Sequence, residues 1–115
     1  MEWTQWAPFT PSTINRAPLY QGVYEIALDG KRHQYALGRS ATIYIGEAHS
    51  DESSIHARLS AHFNGNGNPK IYSLLREYQL KVHWSTARVP GQSERTRLER
   101  FEVDFGELPL CNGRL

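Results

Sequence analysis

The chain has one cysteine, one methionine, three lysines and no apolar run approaching bilayer-spanning length. A single cysteine, Cys111, cannot form an internal disulfide, so no covalent staple holds the fold, and the residue reads as a small packed hydrophobe. No group of His and Cys has zinc-ligand spacing, which excludes a finger-type metal fold. The opening "MEWTQWAPFTPSTINRAP" lacks the basic start and continuous apolar stretch of a secretory signal. The default setting is therefore cytoplasmic, with no membrane segment. A formal net charge of +1 excludes a strongly basic, purely electrostatic nucleic-acid binder, whose affinity comes mostly from phosphate contacts. There is no internal repeat, linker or low-complexity tract, and 115 residues make one domain, 1–115, with a modest core.

What is present is arginine. Ten of the thirteen basic residues are Arg, whose planar guanidinium suits two-pronged contacts with phosphate. Arg88, Arg95, Arg97 and Arg100 cluster; a solvated helix face paired with Glu94 and Glu99 is the plainer reading of that run.

Periodicity organises the rest. Residues 1–20, with Pro8, Pro11 and Pro18 among Trp3, Trp6 and Phe9, read as an irregular arm packed on the domain. "GVYEIAL" alternates and ends at Asp29-Gly30, a strand followed by a turn, and "TIYIG" is its antiparallel partner after a polar connection. In "SSIHARLSAHFNGNG", Ile55, Leu59 and Phe63 recur at helical spacing, with Asp51 or Ser53 as cap, and Arg58 and His62 share a face. Asn68-Pro69 opens a second helix. "LKVHWSTA" reads as a third strand, and Ser93 caps a last helix carrying Leu98, Phe101 and Phe105, closed by Gly106. The predicted order is ββααβα, an α+β domain whose small three-stranded antiparallel sheet is flanked by helices.

Five features in that order, "GVY" at 22–24, "YIG" at 44–46, "HARLSAHF" on a helix, a glutamate on the last helix and "PLCN" after it, resemble the GIY-YIG nucleases. The resemblance runs from about Gly22 to Asn112. It implies a metal-dependent endonuclease that hydrolyses phosphodiester bonds in DNA. By the same resemblance Tyr24 and Tyr44 are the paired phenols, one of which takes a proton from water, and Arg58 holds the scissile phosphate. His62 stands near them, Glu99 ligates Mg²⁺ or Mn²⁺, and Asn112 supports the site. The chemistry is coherent, because phosphodiester cleavage needs a placed nucleophile and neutralised phosphate oxygens. A magnesium ion also commonly accepts few carboxylates and several waters. Gly46 lets chain or phosphate approach closely behind Tyr44.

Long connections between the motifs look more like the restriction-enzyme branch of that family. Glu47 stands where repair members tend to have lysine, and a carboxylate there repels phosphate unless it is paired. Lys31, Arg32, Arg39, Arg88 and Arg95 are candidate DNA-phosphate contacts, and a homodimer is one source of sequence choice. The competing reading is an inactive module of the same shape that binds nucleic acid or a protein partner. Taken singly, the tyrosines fit half-buried sheet positions, His62 a helix-face histidine and Asn112 a turn.

Overall fold

The structure, a computed structural model, describes residues 2–113. In chain order the elements are β1 (Ala7–Pro8), α1 (Pro11–Asn15), β2 (Gly22–Leu28), β3 (His33–Tyr35), β4 (Gly38–Ser40), β5 (Thr42–Ala48), α2 (Ile55–Phe63), α3 (Pro69–Leu75), β6 (Leu80–Thr86) and α4 (Pro90–Phe105). A short 3₁₀ turn follows at Leu110–Asn112.

This corrects the three-stranded ββααβα arrangement. The main sheet has four strands in the order β1-β6-β2-β5, all neighbours antiparallel, and β3 and β4 form a separate two-stranded hairpin. The added pieces come from stretches read as irregular. In the arm, Ala7 and Pro8 pair with Val82 and Lys81 at the sheet edge, where a proline's missing N–H leaves no ladder bond unmade. Thr10 then caps α1, with Pro11 in its first turn. The polar connection after Asp29-Gly30 folds back as the hairpin because Tyr35 is buried. Its hydroxyl donates to the Thr42 carbonyl at 2.7 Å and accepts the Leu110 N–H at 3.0 Å.

Every residue of β2 is buried, since helices cover both faces of this central strand. Tyr24, Ile26 and Leu28 join Ile55, Leu59, Ile71 and Val82 in the core under α2 and α3, whereas Val23 packs with Ile45, Tyr35 and Phe101 under α4. Ser54 caps α2 and Asn68 caps α3 through their side-chain oxygens. Helix α4 begins at Pro90, ahead of Ser93, and ends on Gly106 in the left-handed conformation at φ 80°. Cys111 is buried and unpaired, and burial pushes its thiol up to about 11. Among the described residues no helix is long and apolar enough to cross a membrane.

The one charged residue of β2, Glu25, is buried beneath α4. It accepts from Arg97 Nε and from His83 Nε2, each at 2.7 Å. Burial alone would raise its pKa; the hydrogen bonds from His83 and Arg97 outweigh it and hold the carboxyl below its ordinary range. The same two partners fasten the arm. Trp6 stacks on His83 with ring centroids 3.7 Å apart, and the Arg97 guanidinium lies 4.1 Å from the Trp3 ring centre. Removing the carboxylate in Glu25→Ala leaves two buried or half-buried donors without their acceptor. It should lower stability by about 3 kcal/mol in urea denaturation, with tryptophan emission shifted to the red as Trp3 and Trp6 lose their seats.

Candidate phosphate-binding site

Tyr24 and Tyr44 come together diagonally. Tyr24 pairs across the ladder with Gly46, and Tyr44 pairs with Ile26, two positions along. The ring centroids of the two tyrosines are 6.0 Å apart. Gly46 is the reason they fit, because a Cβ there would stand 2.5 Å from Tyr44 Cε2 and 2.6 Å from the Tyr24 hydroxyl. Glycine here makes room for two phenol rings within the strand, which runs on to Ala48.

Helix α2 delivers Arg58 and His62 to the same place, one turn apart on one face. His62 is 1% exposed and uses both ring nitrogens. Nδ1 accepts the backbone N–H of Asn68 at 3.0 Å, and Nε2 lies 2.8 Å from the Tyr24 hydroxyl. A backbone N–H can only donate, so Nδ1 is bare and the neutral imidazole carries its proton on Nε2. His62 therefore donates to Tyr24. Burial, and then the charge of Arg58, push the His62 pKa down to about 4, which keeps the ring neutral.

With its oxygen accepting from His62, Tyr24 stands beside Tyr44, which raises its pKa, and beside Arg58, which lowers it. Burial dominates both and moves each phenol up, so both keep their protons. The hydrogen-bond chain runs from Asn68 through His62 to Tyr24, with the half-buried Tyr44 ring at its side. Arg58 lies beside both phenols and lowers the pKa of each. The result is a partly exposed edge made of one guanidinium and two protonated phenols.

The carboxylate nearest this edge is not Glu99. That residue is exposed on α4, whereas Glu94 is half-buried, and its charge raises the Tyr44 pKa. Leu98 packs into the core under α4, so the residue four before it shares the buried face, and the residue after it turns about 100° away. Burial and then the nearby Glu47 raise the Glu94 carboxyl, while Arg95 lowers it. Among the described residues no group of three or more His, Cys, Asp or Glu is placed to hold a metal ion. Glu99 thus belongs to no multi-ligand cluster among the described residues.

Asn112 works on the backbone. Its Oδ1 accepts the Ile45 N–H and its Nδ2 donates to the Ile45 carbonyl, both at 2.9 Å, which closes the outer edge of β5 beside Tyr44. Sequence reading saw Asn68 only as a cap, and missed that the "NGNGN" run presents its N–H to His62. The signal was the glycine count one turn after a histidine: a Cβ at Gly67 would stand 2.5 Å from His62 Nδ1. The five candidate phosphate contacts are all exposed. Arg88 follows the end of β6 and Arg95 lies beside Glu94 on α4; Lys31 and Arg32 follow the end of β2, and Arg39 lies on the hairpin.

No family model, no curated protein and no solved structure matches this chain. Together with the four-stranded sheet and the separate hairpin, this overturns membership of the GIY-YIG family, and with it the assignment as a metal-dependent endonuclease of that type.

The depressed pKa of His62 sets a pH dependence. Unfolded, the ring takes its proton near pH 6.5; folded, it resists until about 4. Its contribution to stability is thus complete above pH 6.5 and is lost as pH falls toward 4. Urea denaturation at pH 7.5 and pH 5 should show a loss of about 2 kcal/mol from this residue, and His62→Gln, which has nothing to titrate, should lack that part of the fall.

Proposed function

We propose that the Tyr24, Tyr44, Arg58 and His62 cluster binds a phosphodiester of a nucleic-acid backbone, with DNA as the partner. The observation that carries this reading is the placement of Arg58 and the half-buried, protonated Tyr44 beside the buried His62–Tyr24 pair, whose direction is set by the Asn68 N–H on His62. Arg58 neutralises a phosphate oxygen, and Tyr44 donates to the same group. The Tyr24 and His62 rings pack against Tyr44, with centroids 6.0 and 5.3 Å from its own.

The acidic pair at Glu47 and Glu94 limits the reach of the site. It opposes a second phosphate on that side, so one phosphodiester is engaged at a time, with Arg88 and Arg95 supplying weaker contacts around it. Net charge of +1 agrees with a site that grips locally rather than through a broad basic field.

Fluorescence anisotropy with duplex, branched and single-stranded DNA at low salt tests the proposal. Arg58→Gln should weaken binding roughly tenfold and reduce the salt slope by about one, and Tyr44→Phe should weaken it several-fold. The same mixtures, incubated with and without Mg²⁺, read strand cleavage separately from binding. If wild-type protein binds none of these DNAs, or Arg58→Gln binds as wild type does, the cluster is not a phosphate site.

A further inference from the structure

A second concavity lies away from the tyrosine pair. It has a volume of about 490 Å³ and opens between the ends of α2 and α3, the N-terminal arm and the turn after β2. That size falls within the roughly 300–1,000 Å³ of pockets that enclose small ligands. Phe9 and Leu80 form a buried floor. Phe63, the residue after His62, and the exposed rings of Tyr72 and Tyr78 make the walls.

The charges at its mouth are specific. Arg76 lines the opening one turn beyond Tyr72, and the Lys31 ammonium sits 4.5 Å from the centre of the Tyr78 ring. Neither cation is in an ion pair among the described residues. Asp29 and Gln79 stand on the same rim with free side chains, able to meet the N–H and carbonyl groups of a polar ring edge. Aromatic walls select a flat π-system, and the two cations select an anionic substituent on it. An aliphatic ligand would use the walls and leave both cations idle.

We propose that this cavity binds a nucleotide, its base against the Tyr72 and Tyr78 rings and its phosphate at Arg76 and Lys31. The ligand is either a free mononucleotide or an unpaired residue of a strand, since both offer the same ring and phosphate. The site does not depend on the phosphodiester reading of the tyrosine cluster.

The test is a fluorescence titration of the full chain with 2-aminopurine riboside 5′-monophosphate, and with a single-stranded oligonucleotide carrying 2-aminopurine at its centre. Saturable quenching is expected. Tyr78→Leu should weaken it about tenfold by removing the stacking ring, and Arg76→Gln several-fold. The riboside without phosphate should bind wild type about as weakly as the monophosphate binds Arg76→Gln. Arg58→Gln should leave the mononucleotide titration unchanged, which separates this site from the tyrosine cluster. Tighter binding of the mononucleotide identifies a free-nucleotide site, and tighter binding of the oligonucleotide identifies a strand residue. Arg76 is exposed, so its variant folds even if Tyr78→Leu does not, and thermal melts check both. No saturable quenching by either probe, quenching unchanged in both cavity variants, or loss of the mononucleotide signal in Arg58→Gln overturns the proposal.

Discussion

The hydrogen bond from His62 to Tyr24 is the constraint on which the site rests. Its direction is not free, because the Asn68 N–H occupies the opposite nitrogen and burial keeps the ring neutral. Tyr24 therefore accepts from His62, and Tyr44 and Arg58 stand beside it, with both phenols protonated. A polar network of this kind is stable only when every member is satisfied, and no buried side-chain polar atom among the described residues lacks a partner. The glycines at 46 and 67 are part of the same device, one clearing space for two phenols and the other letting the backbone approach the imidazole.

The sheet makes the arrangement possible by burying both sides of β2. One side carries the neutral donor chain under α2. The other carries Glu25 with Arg97 and His83 under α4, and through them the tryptophans of the arm. Alternation along one strand thus separates the Tyr24–His62 hydrogen bond from the ionic Glu25 network, although Tyr24 and Glu25 are neighbours in sequence. Edge strand β5 then needs cover, and Asn112 supplies it by pairing with Ile45 beside the site.

Much of this was legible in the residues, and the failures have physical reasons. The longer strands and the helices showed in their periodicities, and Asn68-Pro69 placed the start of α3. The hairpin, β1 and α1 did not show, because elements of two to five residues carry no period; they exist through the burial of Tyr35 and the pairing of Ala7 and Pro8. Thr10-Pro11 did carry a readable cap. At the site, the spacing of Arg58 and His62 put them on one face, and the two tyrosines did meet. The register after Leu98 and the distance before "PLCN" favoured Glu99, which lies exposed, whereas Glu94, four residues before Leu98, is half-buried. The two tripeptide motifs imply a family that neither the sheet topology nor any comparison supports, so short motifs located the cluster without establishing ancestry.

The most direct test of the account is the tautomer of His62, read from the ¹⁵N shifts and long-range ¹H–¹⁵N correlations of its ring at pH 7. A neutral ring with the proton on Nε2 and a bare Nδ1 is the result predicted by the Asn68 contact. A proton on Nδ1, or a doubly protonated imidazolium at that pH, would reverse the donor chain and remove the basis for an anion site at Tyr44 and Arg58.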